Sequence, residues 1–143
     1  MPTVRFGFTP APVHVRTARL VAASAAQQAQ LAAEYIDEVR QAAGEACSRA
    51  VARHRRHGIG KLVRMKLAIG ESFVAEVADF APVSRTSLSI VGNGVTDLAA
   101  SATDEDALAE EVALTLLGGL VSDLQVIEGE DGLGTIVRMA WPL

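Results

Sequence analysis

The chain has 143 residues, of which 50% are hydrophobic and only 4% are aromatic, so we predict a single domain, 1–143, with an aliphatic core. A net charge of −4 argues against a nucleic-acid-binding protein, and the lone Cys47 excludes a disulfide framework or a cysteine metal site. The longest apolar run is too short to cross a bilayer, and the N-terminus lacks the order of a signal peptide. We therefore expect a cytoplasmic protein that binds neither nucleic acid nor membrane.

The chain begins with a predicted strand and a predicted helix. Val4, Phe6 and Phe8 alternate with other residues, which indicates a half-buried strand. The stretch 13–30 carries an apolar, alanine-rich stripe at helical spacing, with Arg16 and Arg19 on its rim. This spacing predicts the first helix.

The stretch 31–51 predicts a central amphipathic helix. Its apolar stripe consists of Leu31, Tyr35, Val39, Ala43, Cys47 and Val51. Glu45 interrupts the least polar part of this helix, so it either lies half-solvated on the flank or points into a cleft. The basic run 53–57 is interpreted as a solvated helix end closed by Gly58, because cations are favoured at a helix C-terminus. A nucleic-acid patch is the weaker alternative, and the histidines of this run have no third ligand for a metal.

Two antiparallel hairpins and a third helix complete the pattern. The strands 62–69 and 73–80 pair, and the strand period places Asp79 on the inward face. The segment 84–101 is weakly patterned, and Thr103 is the predicted N-cap of the third helix. Its predicted core face consists of Leu108, Val112, Ala113, Leu116, Leu117, Leu120 and Val121. The strands 124–128 and 133–141 form the closing hairpin.

The run 44–51, Gly-Glu-Ala-Cys-Ser-Arg-Ala-Val, resembles a helix of the anti-sigma-factor and serine-protein-kinase family, a branch of the Bergerat-fold (GHKL) ATPases. The order of elements fits this family over nearly the whole chain. The resemblance implies an α+β, two-layer sandwich with a mixed, mostly antiparallel sheet and helices packed on one face. In the family, a glutamate acts as general base and an asparagine four residues later holds magnesium. Glu45 matches the base, but Arg49 replaces the asparagine, and a guanidinium cannot ligate a cation.

The rest of the resembled nucleotide pocket also departs from the family pattern. Asp79 matches the aspartate that recognises adenine, whereas side chains replace the two following glycines. The glycine-rich phosphate loop aligns with the acidic stretch 110–113, and the threonine of the last strand either contacts the nucleotide or is a plain strand residue. The positions that match this pocket are Glu45, Arg49, Asp79, Ala81, Val83, Glu110, Glu111, Ala113 and Thr135.

These departures predict that the pocket no longer binds ATP and its magnesium ion. Two like charges about 4 Å apart repel by roughly 4 kcal/mol at an effective dielectric near 20, whereas a micromolar site is worth only about 8 kcal/mol in total. We expect Arg49 to close onto Glu45 four residues before it; the alternative is that Arg49 clamps a phosphate.

Together with these departures, the resemblance implies a non-catalytic regulator that binds a STAS-domain anti-anti-sigma protein, and in the family a sigma factor and a second copy of the chain are further partners. Arg16 matches the partner-binding arginine of the family, and the alternative is an ordinary surface arginine. No cofactor is then expected. The alternative is an active ATP-dependent serine kinase with Glu45 as base, which would need ATP and magnesium. A third interpretation is a pocket repurposed for another small ligand.

Overall fold

The structure, a computed structural model, describes residues 2–82, 105–129 and 132–143. Val83, the weakly patterned segment and the predicted N-cap Thr103 lie outside these residues. The elements are β1 (Thr3–Phe8), α1 (Val15–Gln28), α2 (Ala33–Arg56), β2 (Val63–Ile69), β3 (Ser72–Ala78), α3 (Glu105–Leu120), β4 (Asp123–Glu128) and β5 (Thr135–Pro142). A short 3-10 turn, Pro12–His14, precedes α1.

The five strands form one sheet in the order β1-β2-β3-β5-β4, and all pairings between them are antiparallel. Met65 lies opposite Val77, which in turn lies opposite Val137, so the apolar side chains of the central strands share one face. This face packs against the helices in the hydrophobic core, and its residues are buried. The predicted α+β fold with helices on one face of an antiparallel sheet is confirmed.

Small side chains allow the helices to approach each other closely. The predicted stripes of α1 and α2 are largely buried, and Ala22, Ala26 and Ala43 are fully inaccessible to solvent. Cys47 lies in the same layer, where burial raises the pKa of its thiol to about 12. This cysteine is therefore a protonated core residue at neutral pH, as the sequence predicted.

The interpretation of the basic run as a solvated helix end is wrong for two of its members. The helix continues to Arg56 and is closed by Gly58, whose φ is +66°. However, Arg53 and His54 are buried, with 2% and 0% of their surface exposed. The helical period places them on the side of α2 that faces the protein interior, where they find polar partners.

The predicted core face of α3 is also wrong in part. Leu108, Val112 and Leu116 are 37%, 47% and 51% exposed, while Glu110 and Glu111 are buried. The helix carries leucines on more than one side, and the side that holds Glu110 faces the arginines of α2. No helix among the described residues combines the length and apolarity needed to cross a membrane.

Candidate functional site

The candidate site lies where the ends of β3 and β5 meet α2. The backbone N–H of Asp79, just after β3, donates to the carbonyl oxygen of Thr135 at 3.0 Å, which brings the two side chains together. The Thr135 hydroxyl donates to Asp79 Oδ2 at 2.5 Å and accepts a hydrogen bond from Arg49 Nη1 at 2.9 Å. Arg49 Nη1 also lies 3.5 Å from Asp79 Oδ2. One carboxylate, one hydroxyl and one guanidinium therefore form a closed, buried set.

Arg53 extends this set toward α3. Its Nε lies 3.1 Å from Asp79 Oδ1, and its Nη1 lies 3.3 Å from Glu110 Oε1. Its Nη2 donates to the carbonyl oxygens of Ala81 and Pro82 at 3.2 and 3.0 Å. A single guanidinium thus connects α2 with the chain that leaves β3 and with the second turn of α3.

Glu110 completes the cluster by pairing with two arginines. Its Oε2 accepts a short hydrogen bond from Arg56, and its Oε1 faces Arg53. Burial raises the pKa of Glu110, and the positive charges of Arg53, Arg56 and Arg49 oppose this shift. Burial lowers the pKa of Arg49 to about 10, helped by the like charge of Arg53, so Arg49 still carries its charge at neutral pH. We refer to Arg49, Arg53, Arg56, Asp79, Glu110 and Thr135 as the arginine–carboxylate cluster.

His54 supports the cluster from the adjacent position on α2. Its Nε2 accepts a hydrogen bond from the backbone N–H of Phe80 at 2.8 Å, which requires the ring proton to reside on Nδ1. Nδ1 lies 3.0 Å from the carbonyl oxygen of Lys61 and donates to it. Desolvation lowers the pKa of His54, and the Lys61 carbonyl opposes this shift. The ring is therefore neutral and fixes the chain on both sides of the β2–β3 hairpin.

The structure brings together most of the residues that the resemblance selected. Arg49, Asp79, Glu110 and Thr135 belong to the cluster, and the backbone N–H of Ala81 donates to Asp79 Oδ1 at 3.1 Å. Glu111 and Ala113 are buried on α3.

The expected ion pair between Glu45 and Arg49 is wrong. Arg49 points inward to Asp79 and Thr135, because a buried positive charge requires a nearby carboxylate and its Nη1 finds both partners there. Glu45 lies half-buried outside the cluster and lines a separate cavity with Arg19 and Ser48. Arg16 is exposed on α1.

The alignment of residues 110–113 with a phosphate loop at the start of a helix is also wrong. The structure places this stretch inside α3, which already includes Glu105. Amide groups in a helix interior donate to carbonyls of the preceding turn, so they cannot cradle a phosphate. Among the described residues, no three histidine, cysteine or acidic side chains come together as a group that could hold a metal ion.

Sequence reasoning missed Arg53, His54 and Arg56. One signal pointed to Arg53: it follows Arg49 by four residues and therefore shares its side of α2. A second signal was the inward-facing Asp79, because a buried carboxylate requires a cationic or hydrogen-bonding partner. For His54 and Arg56 we find no comparable signal in the sequence.

The fold and the site define an α+β domain of two layers, in which helices cover one face of an antiparallel sheet and a buried polar cluster lies between the central helix and two strand ends.

Comparison with known proteins gives the family. The profile of the histidine kinase-like ATPase domain matches residues 8–141, and the chain belongs to this family. A chain in the crystal structure of the SiaB–SiaC complex from Pseudomonas aeruginosa has a similar fold, with a TM-score of 0.62 and 15% sequence identity over 96% of this chain and 89% of that chain. At this identity the likeness shows the fold. No curated protein matches the sequence.

Proposed function

We propose that this protein is a non-catalytic regulator that has kept the ATPase-like scaffold, has lost ATP binding and acts by binding a STAS-domain protein. The observation that carries the proposal is that Arg49 and Arg53 both engage Asp79, the residue that the resemblance assigns to adenine. The similarity to a chain from a two-protein complex supports a protein partner.

The contacts of Asp79 within the cluster make nucleotide binding at this position unfavourable. Both oxygens of Asp79 are engaged, by Thr135 and Arg49 on one side and by Arg53 and the Ala81 amide on the other. Breaking a buried pair by removing one partner costs roughly 3–5 kcal/mol. A nucleotide that displaced both guanidiniums would therefore lose most of the roughly 8 kcal/mol that a micromolar site provides.

Partner binding is proposed to use the exposed α1 surface around Arg16. An exposed guanidinium can form bidentate hydrogen bonds to a carboxylate or phosphate of a partner. Without a nucleotide to set its affinity, the protein would capture its partner stoichiometrically at any ATP or ADP concentration. A sigma factor as a second ligand and a homodimer are part of the same proposal, because the resembled family uses both.

The proposal is tested by titrating magnesium with ATP or ADP into the purified chain while its melting temperature and heat of binding are measured. A ligand at about 1,000 times its Kd would add about 4.1 kcal/mol to the stability. We expect no shift and no binding heat. A saturable nucleotide titration would overturn the loss of ATP binding.

The partner is tested by calorimetry with STAS-domain proteins from the same genome. We expect one of them to bind, Arg16→Ala to weaken the complex at least about tenfold, which is about 1.4 kcal/mol, and the exposed strand variant Arg5→Ala to leave it unchanged. Failure of every STAS-domain protein to bind would overturn the proposed partner.

One observation favours the alternative of an active serine kinase: Glu45 lines a cavity and is not sequestered in the cluster. The discriminating assay is transfer of radiolabelled phosphate from ATP to the STAS-domain protein. Transfer that Glu45→Gln abolishes would establish the kinase and refute the non-catalytic function.

A further inference from the structure

α3 presents an apolar stripe to the outside of the molecule. Leu108, Val112 and Leu116 follow each other at four-residue spacing and are 37–51% exposed, and the half-buried Leu120 continues the row. The stripe faces outward because another side of α3 carries the buried Glu110 and Glu111. Apolar rows of this kind on a helix mark a surface that another element covers.

The end of this stripe forms one wall of a groove. Leu116 and Leu120 line a cavity of about 310 Å³ together with residues of α1 and α2 that include Val15 and Ser48. A second cavity, of about 510 Å³, shares Val15 and Ser48 with the first and reaches Arg56. The two cavities form a groove alongside the stretch 41–56 of α2. This is a length of roughly 22 Å at 1.5 Å per residue, enough for a helix of about four turns.

The groove is basic although the chain as a whole is acidic. Its lining includes Arg19 at one end and Arg55 and Arg56 at the other, against one acidic side chain, Glu45. Arg56 is already paired with Glu110, so Arg19 and Arg55 less Glu45 leave a local charge of +1, in a chain with a net charge of −4. Gly44 makes room for the Arg19 side chain on the wall of the groove, since a Cβ there would come within 2.7 Å of Arg19 Cδ.

From these features we propose that the groove between α1, α2 and α3 binds an acidic amphipathic helix of the protein partner. The apolar side of that helix packs on Leu116 and Leu120, the two residues of the stripe that line the groove. Its acidic residues face Arg19 and Arg55. This is the helix-in-groove mode of recognition, in which an apolar stripe supplies area and flanking charges supply orientation. The inference rests on the proposed function and specifies which element of the STAS-domain partner is bound.

The test compares matched variants in calorimetric titrations with the STAS-domain partner. Leu116→Glu and Arg55→Glu change the stripe and the basic end of the groove. Their controls are Ile127→Glu, which alters a 45%-exposed isoleucine on β4, and Arg64→Glu, which alters an exposed arginine on β2. We expect each groove variant to weaken binding at least about tenfold and each control to change it less than about twofold. Equal thermal melting curves for all four variants confirm that folding is intact.

Hydrogen–deuterium exchange on the complex identifies the bound element. Protection along α3 and along the stretch 41–56, together with a protected helical segment in the partner, supports the proposal. If Arg16→Ala abolishes binding but Leu116→Glu and Arg55→Glu do not, the groove is not the binding site for the partner, whereas the proposed function stands. If no STAS-domain protein binds the wild-type chain, both fail. If sedimentation shows a dimer that Leu116→Glu converts to a monomer, the occupant is a second copy and the proposal is wrong.

Discussion

Arg53 and Arg55 lie two residues apart on α2 but in opposite environments. Arg53 is 2% exposed and contacts Asp79, Glu110 and two carbonyl oxygens, whereas Arg55 is exposed. Arg53→Ala leaves two carboxylates short of a buried cation, so we expect it to lower the free energy of unfolding by roughly 3–5 kcal/mol. Arg55→Ala should change it by less than about 0.5 kcal/mol. Urea denaturation measures both, and equal losses would contradict the cluster.

Because His54 is buried, we expect the stability of the protein to depend on pH. Burial lowers its pKa in the folded protein below the ordinary 6.5. As the pH falls below about 6.5, the unfolded chain binds a proton that the folded chain does not, so stability is lost on acidification and is fully present above that pH.

This dependence is measured by urea denaturation at about pH 7.5 and about pH 5.5. At the lower pH we expect the free energy of unfolding to fall by up to about 1.4 kcal/mol for each unit by which the pKa of His54 is lowered. We expect His54→Gln to remove this component and the exposed His57→Gln to keep it. Asp79 and Arg53 also act on the ring, in opposite directions. An unchanged pH profile in His54→Gln would show that the ring does not resist protonation.

Among the elements, α2 depends most on small side chains. Ala43 is fully buried in its middle, and Ala33 is exposed in its first turn. Ala43→Leu adds volume to a filled interior, which typically costs about 1–3 kcal/mol. Ala33→Leu adds the same atoms in solvent and should be nearly neutral. Chemical denaturation compares the two, and equal stability would mean that the α2 layer has free space.

The elements themselves were predictable where the sequence has a single period. The stripes of α1 and α2 and the alternation in both hairpins each leave one apolar face, so periodicity determines which side is buried. In α3, apolar residues lie on two sides of the helix, one with Leu114 and Leu117 and the other with Leu108 and Leu116. Periodicity alone therefore does not determine which side is buried. The choice depends on ion pairs between Glu110 and arginines of α2 that are remote in sequence, since Arg53 is separated from Glu110 by 57 residues.

At the scale of the whole molecule, the candidate site was predictable in position but not in its contacts. The family pattern located Arg49, Asp79 and Thr135, which come from three different parts of the chain. It could not show that Arg49 turns away from Glu45, because both side chains are compatible with an i, i+4 pair on an isolated helix. Tertiary contacts to Asp79 decide that orientation.

The same contacts lead to a prediction about the pocket as a unit. If the guanidiniums of Arg49 and Arg53 are what excludes a nucleotide, the double variant Arg49→Asn, Arg53→Ala frees Asp79 and Thr135 and restores an amide where the resembled family has its magnesium ligand. We expect the variant to be less stable than the wild type but to gain stability from magnesium and ATP. A ligand at about ten times its Kd adds about 1.4 kcal/mol, which corresponds to roughly 3–6 °C in melting temperature for a domain of this size.

The control is a double variant at exposed positions, Arg5→Asn with Arg55→Ala, which keeps the cluster intact and should show no shift with nucleotide. Differential scanning fluorimetry with and without magnesium and ATP compares the three proteins. A shift in the wild type would show that the cluster yields to the ligand. If the cluster variant shows no shift although its circular dichroism is native-like, Glu110 and Glu111 rather than the guanidiniums exclude the phosphates, since two buried carboxylates on α3 would repel a triphosphate.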